Sequence, residues 1–289
     1  MNNRRIFLKQ SLILAGGVFF NITKLSAAHI KKTKITILHT NDIHSHIDSF
    51  DENDANYPNQ GGLLNLQTKI KEIRSKESHV LLFDCGDVFQ GTPYFNLFGG
   101  IVEFSTMSKM GYNAGTIGNH DFDNGYPHYK NIIEKHCDFP ILNTNYLIIK
   151  DNQSSKILPY KIFEIENKKI GVFGIGIELN GLVAAENFKN ITISNPIECA
   201  NKTAKILKKE NCDFIICLSH LGFQYNDNET KPSDKQLAKN SKHIDMILGG
   251  HTHTFLNEPI VVKNLKNKDV FINQAGWAGL KLGRIDIEI

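Results

Sequence analysis

Apolar runs of strand length recur along this chain, and five of them run directly into Asp, Asn or His. "KITILHTND" leads to Asp42 and His44, "HVLLFDCGD" ends on Asp87, and "AGTIGNHD" carries Asn119 and His120. "DFIICLSHLG" holds His220, and "IDMILGGHTH" closes on His251 and His253. Four more runs, "PILNTN", "KKIGVFGIG", "DVFINQAG" and "LGRIDIEI", also read as strands. Between the strands, "LLNLQTKIKEIRSK", "IVEFSTMSKM", "HYKNIIEKH" and "IECANKTAKILKKE" repeat their apolar residues at helical spacing. Strands alternating with helices specify an α/β fold. In open α/β sheets the ligand crevice lies outside the carboxyl ends of the strands. Five strands therefore deliver carboxylates, imidazoles and a carboxamide to one edge.

His251 and His253 are separated by one residue, so in extended chain both rings address one point. No thiolate stands in a ligand-like position. Oxygen and imidazole donors suit Mn, Zn, Fe, Co or Ni without selecting among them. The candidate ligands are too many for one catalytic ion that keeps a position for water. They suit two ions bridged by a carboxylate. Such a pair, about 3.5–4 Å apart, can hold a hydroxide for attack and stabilise the attacking and leaving oxygens of a phosphate ester.

The 289 residues, 41% of them apolar, are enough for one α/β domain with a substantial core. No Pro/Gly/Ser-rich linker divides them, and residues 50–62 and 224–235 read as polar surface loops. Residues 1–28 differ in kind. A charged start with paired Arg4 and Arg5 precedes the apolar "SLILAGGVFF" and the small residues "SAA". That order reads as an export signal of twin-arginine type, too short in its apolar part to span a membrane. The expected mature domain is then 29–289, and the expected location periplasmic. The signal carries four of the 33 basic residues and none of the 30 acidic ones, leaving 29 against 30 and a formal charge of −1. Bulk charge thus disfavours nucleic acid as a partner. Five cysteines, Cys85, Cys137, Cys199, Cys212 and Cys217, read as small core residues rather than a disulfide framework.

The ordered set "NDIHSH", "GDVFQGTP", "GNHDFDNG", "LSHLG" and "GGHTH" resembles the calcineurin-like metallophosphoesterases. It is most similar to the catalytic half of the exported 5′-nucleotidase and UDP-sugar hydrolase family, from about Ile35 to the closing "QAGWAGLKLGRIDIEI". The resemblance implies a four-layer α/β/β/α sandwich and an enzyme that hydrolyses phosphate monoesters, nucleotides foremost. It implies that Asp42, His44 and His253 hold one metal ion, that Asn119, His220 and His251 hold the second, and that Asp87 bridges them. His120 would face the leaving oxygen, with Asp123 orienting it. The family usually has Glu after this His, where Asp121 stands here.

Other residues have a blander reading. His46 reads as a loop histidine, and His39 as a packed, hydrogen-bonded core residue. Asp84 orients a ligand or closes a strand, and Gly61 and Gly62 approach the site or open the next helix. His79, His128, His136 and His243 receive no role. Full-length members of the family add a C-terminal domain that grips the nucleoside with arginines and stacked aromatics. Beyond the signal this chain has only Arg74 and Arg284, neither beside a metal motif. A separately encoded domain of that type is the expected partner. Two other functions fit the same residues: hydrolysis of phosphodiesters or sulfur esters, and a binding scaffold without turnover. Complete ligands and an intact His120–Asp123 pair argue against the scaffold.

Overall fold

A computed structural model describes residues 32–148, 154–226 and 231–289. The expected export signal, residues 1–28, lies outside the described residues. In chain order the strands are β1 (Lys34–Thr40), β2 (Val80–Asp84), β3 (Ala114–Gly115), β4 (Ile141–Leu142), β5 (Tyr146–Ile148), β6 (Ile157–Leu158) and β7 (Tyr160–Ile165). They continue with β8 (Lys168–Gly176), β9 (Ile191–Ile193), β10 (Phe214–His220), β11 (Met246–Gly249), β12 (Ile260–Lys263), β13 (Asp269–Asn273) and β14 (Gly283–Glu288). The helices are α1 (Leu63–Lys76), α2 (Pro93–Phe98), α3 (Ile101–Met110), α4 (Tyr126–His136), α5 (Ala185–Phe188), α6 (Pro196–Lys209) and α7 (Asp234–Asn240).

One sheet runs β14-β1-β2-β3-β4-β6 and the other β12-β13-β11-β10-β8-β7, while β5 and β9 form a separate pair. Within the first sheet β1, β2, β3, β4 and β6 are parallel, and within the second β8, β10, β11 and β13 are parallel. Antiparallel strands cap both, β14 on β1, β7 on β8 and β12 on β13. Parallel strands share a carboxyl edge, which is why residues distant in sequence can meet there.

Strand alternation builds the layers. Ile35 and Ile37 of β1, with Leu81 and Phe83 of β2, face Val172, Ile216, Leu218, Met246 and Leu248 of the second sheet. On the outer side of the first sheet, Leu38 and Leu82 pack under Leu66 and Ile70 of α1, Phe104 and Met107 of α3, and Tyr129 and Ile133 of α4. On the outer side of the second, Ile215, Cys217 and Ile247 pack under Ala200, Ala204 and Leu207 of α6 and Leu237 of α7. This is the expected α/β/β/α sandwich. Each fully buried Leu, Ile or Phe contributes about 1.5–3 kcal/mol.

Side-chain caps fix where α6 and α7 start. Asn195 caps α6 by accepting from the backbone N–H groups of Ile197 and Glu198, with Pro196 preset for the first turn. Ser233 caps α7 through the Gln236 N–H, so that helix begins inside what reads from the sequence as a loop. The five cysteines are free, and Cys85, Cys137, Cys212 and Cys217 are buried. Among the described residues no helix is long and apolar enough to cross a membrane.

Candidate metal centre

All the strand-end residues converge at the shared carboxyl edge. Asp42 and His44 follow β1, Asp87 follows β2, Asn119 follows β3, His220 ends β10, and His251 and His253 follow β11. Ligand atoms of Asp42, His44 and His253 form one group, and those of Asp87, His220 and His251 a second, each within 4.8 Å of one another. In the first, His253 Nε2 lies 3.5 Å from Asp42 Oδ1 and 3.0 Å from His44 Nε2. In the second, His220 Nε2 lies 3.1 Å from Asp87 Oδ2, and His251 Nδ1 lies 2.8 Å from Asn119 Oδ1. Asp87 Oδ2 also stands 3.9 Å from His44 Nε2, so this carboxylate faces both groups.

The imidazoles are oriented from behind. His220 Nδ1 donates to the Cys85 carbonyl at 2.7 Å, and His44 Nδ1 points at the Gln90 carbonyl at 3.1 Å. Their Nε2 atoms are thereby turned inward, the arrangement that outer hydrogen bonds impose on metal-binding histidines. His220 Nε2 is buried and has no partner of hydrogen-bond geometry among the described residues. Asp42 and Asp87 are buried, and their ion-pair partners are histidines alone, with no lysine or arginine among the described residues. Buried charges of this kind are paired or coordinate metals.

Electrostatics point the same way. Burial opposes charge on His220, but Asp87 and Asp42 outweigh it and push the imidazole up to about 10. Burial likewise opposes charge on Asp87, and His220, His44 and His120 overcome it, holding the carboxyl below its usual range. The two carboxylates thus favour positive charge at His220. Burial holds His44 down and pushes His251 down to about 4, keeping both in the neutral form that binds metals. The residues present therefore fit two divalent cations.

The chain bends sharply to achieve this. Asp42, His44, Asp87, His251 and His253 all adopt positive φ, between 48° and 75°, which non-glycine residues rarely do. Backbone strain of this kind gathers at functional sites. Gly118 shows how tight the approach is: a Cβ there would lie 2.1 Å from Asp87 Oδ1.

His120 stands at the rim. Its Nδ1 donates to Asp123 Oδ2 at 2.9 Å, and its backbone N–H donates to Asp87 Oδ1 at 2.8 Å. The hydrogen bond to Asp123 holds the imidazole above its ordinary value, against burial. Its Nε2 is not engaged by that bond.

Asp84 does not touch the cluster. It accepts from Thr40 Oγ1 at 2.6 Å and from the Gly86 N–H at 2.9 Å, so it closes a strand end, and burial pushes it up to about 8. His39 is fully buried as expected, but neither ring nitrogen has a hydrogen-bond partner among the described residues, which corrects the hydrogen-bonded half of its reading. Gly283, which pairs with it across β1 and β14, has no side chain to offer.

Several further residues brace the cluster. Asp121, one residue past His120, is buried and accepts from the N–H groups of Gly118 (2.8 Å), Val88 (3.0 Å) and Asp87 (3.2 Å). The Asp for Glu departure thus sits on a carboxyl that ties the Asp87 loop to the Asn119 loop. Gln274 donates to Asp234 Oδ2 at 2.9 Å and to the Gly250 carbonyl at 3.0 Å, and accepts from the Thr254 N–H at 3.2 Å. It braces the turn that carries His251 and His253. Gln274 directly follows β13, so the strand-end rule that found the others extends to it. Asn41 donates to Asp42 Oδ2 at 2.6 Å and to the Gly276 carbonyl, and accepts from the Ala275 N–H at 2.8 Å. Buried Glu103 of α3 accepts from Ser45 Oγ, beside His44.

Comparison with known proteins agrees with this geometry. The family model described as calcineurin-like phosphoesterase matches residues 35–255. Over 96% of its length the chain is 33% identical to a snake venom 5′-nucleotidase of Gloydius brevicauda, of which it covers 48%. Over 88% of its length it is 32% identical to the 5′-nucleotidase of Bos taurus, of which it covers 46%. Among solved structures, the NAD nucleotidase of Haemophilus influenzae superposes with a TM-score of 0.77 at 25% identity, covering 90% of this chain and 48% of that one. The chain spans about half the length of the curated relatives it matches.

Proposed function

This chain belongs to the calcineurin-like phosphoesterase family, and from that premise we propose that it is a two-metal phosphohydrolase of 5′-nucleotidase type, acting on phosphate monoesters. One observation carries the reading: Asp42 and Asp87 are buried, face the imidazoles of His44, His220 and His253, and have only histidines as charge partners among the described residues. Asp42, His44 and His253 would hold one ion, Asn119, His220 and His251 the other, and Asp87 would stand between. Divalent cations held there supply Lewis acidity toward a phosphoryl oxygen and lower the pKa of water.

The rest of the chemistry falls to the chain's own groups. His120 keeps its Nδ1 proton on Asp123 and presents Nε2 to the leaving oxygen, to which it gives a proton as the ester bond breaks. The His120 backbone N–H on Asp87 Oδ1 keeps this rim in register with the cluster. Asp121 holds the two loops together through their N–H groups.

Grip on the rest of a nucleotide is a separate matter. Arg74 donates to the Met110 and Gly111 carbonyls at the end of α3, and Arg284 pairs with Glu77 and Asp286. Both described arginines are committed away from the site. We assign nucleoside recognition to a domain of the kind that completes the longer relatives, on whatever chain it resides, and export to the twin-arginine segment. Lysine at both Arg4 and Arg5, followed by cell fractionation, tests export: unchanged periplasmic appearance refutes it.

The central test is metal content measured beside turnover. Chelated protein should lose hydrolysis of AMP and of an aryl phosphate, and regain both on binding two Mn²⁺ per chain. Full activity in the metal-free protein, or on sulfur esters alone, refutes the reading.

A further inference from the structure

The candidate ligand histidines are not all held in the same way. His44 and His220 each turn Nδ1 toward a backbone carbonyl. His251 is anchored through its backbone N–H, which donates to both oxygens of Asp42 at 3.0 Å. His253 has neither anchor. Its Nε2 points into the site, its Nδ1 has no hydrogen-bond partner among the described residues, and its side chain is 39% exposed. An imidazole so placed is free to swing unless its face is held.

Its face is held by Trp277. The two rings are stacked with centroids 5.5 Å apart and planes within 6°. Trp277 is itself held in T-shaped contacts by His46 (5.4 Å, 82°), Phe50 (5.7 Å, 72°) and Tyr57 (6.5 Å, 79°). Edge-to-face contacts of this kind fix the plane of the central ring. The backbone beside it is pinned as well. The Ala278 N–H donates to the Asp42 carbonyl at 2.7 Å, and the Ala278 carbonyl accepts from the Gly62 N–H at 2.8 Å. Gly61 permits this approach, since a Cβ there would lie 2.7 Å from the Ala278 oxygen. The loop of residues 50–62 thus supports the indole, and the indole supports the ligand.

We propose that Trp277 is the positioning residue of the first ion site, orienting His253 by stacking as backbone carbonyls orient His44 and His220. The proposal rests on the two-ion reading. His46 then belongs to the wall of the box rather than to the ligands. Partners that orient a metal ligand typically change affinity about 10–100-fold when removed, and a stacked ring serves the same purpose without a hydrogen bond.

The test uses the full chain, stripped with a chelator and titrated with Mn²⁺ by calorimetry. Wild type should show two binding events. Trp277→Leu keeps apolar bulk but cannot stack, and should weaken one event about 10–100-fold while leaving the other unchanged. Trp277→Phe keeps an aromatic face and should bind within about threefold of wild type. Trp277 is the only tryptophan in the sequence, so its emission should also change with the midpoint of the first event and lose that response in His253→Gln. If wild type binds two ions and Trp277→Leu binds both equally well, or if Leu and Phe behave alike, stacking is irrelevant and the proposal is overturned. If wild type binds no Mn²⁺, the two-ion reading itself falls and takes this proposal with it.

Discussion

Charged residues gather at both ends of the first sheet, on opposite terms. Toward the amino end of β1, Lys34, Glu77, Arg284 and Asp286 form an ion-pair network, with Lys34 Nζ 2.8 Å from Glu77 and Arg284 Nη2 2.9 Å from Asp286. Every member is part-exposed, and each acid has a base. At the carboxyl end, Asp42 and Asp87 are buried and, among the described residues, have only histidines as ion-pair partners. The first arrangement costs little, because water solvates it, and gains little for the same reason. The second is costly to assemble and is kept on strained backbone. Charge that is buried, expensive and matched only by imidazoles points to a ligand; charge that is exposed, cheap and balanced by lysine and arginine does not.

The contrast is broken most directly at Asp87. Asp87→Ala should lose both ions and reduce kcat by about 10⁴-fold or more, because several kcal/mol of charge stabilisation disappears. Retention of two ions per chain in that variant, by elemental analysis, would show that Asp87 serves neither group.

His120→Ala sharpens the comparison by separating rim from ligand. It should keep both ions and lose about 10²–10⁴-fold in kcat. The loss should shrink for an aryl phosphate whose leaving group needs no proton. A metal-free variant would move His120 among the ligands.

Between the two ends, His39 is a buried base with no counter-charge. Burial pushes it down from 6.5 to about 4. The folded state resists the proton that the unfolded chain accepts, so stability is full above about pH 6.5 and falls as pH drops toward 4. The shift corresponds to about 3 kcal/mol. Denaturant titrations across that range should show His39→Leu losing less stability on acidification than wild type, whatever its offset at pH 8. Parallel pH profiles would mean that His39 does not drive the acid response.

The smallest effect belongs to the exposed network. Glu77→Ala should move Tm by no more than about 2 °C and leave kcat and metal content unchanged. A loss of turnover there would erase the distinction between the two ends.

The alternation of apolar runs with helical repeats was enough to specify an α/β fold, because strand and helix periods are local properties of the chain. The strand-end rule was enough to nominate Asp42, Asp87, Asn119, His220, His251 and His253, because parallel strands share one carboxyl edge wherever they stand in sequence. Resemblance carried the four-layer arrangement, and the proposed division of ligands rests on it as well. Residues whose roles depend on distant partners were not legible. Gln274 reads as an ordinary polar residue until it is seen under the Gly250 carbonyl. Asp121 is a one-residue departure in sequence, and in the fold its carboxyl accepts from four backbone N–H groups. Trp277 was one aromatic near the end of the chain, and His46, Phe50 and Tyr57 lay in a loop without a role. Nor could the sequence disclose that His39 would be buried without a partner, or that five site residues would take left-handed backbone. Sequence by itself determined which chemical groups arrive at the edge, since that follows from period and order. Only the tertiary structure decided how each is held, because orientation depends on contacts between segments more than two hundred residues apart, such as Trp277 and the loop before Gly61.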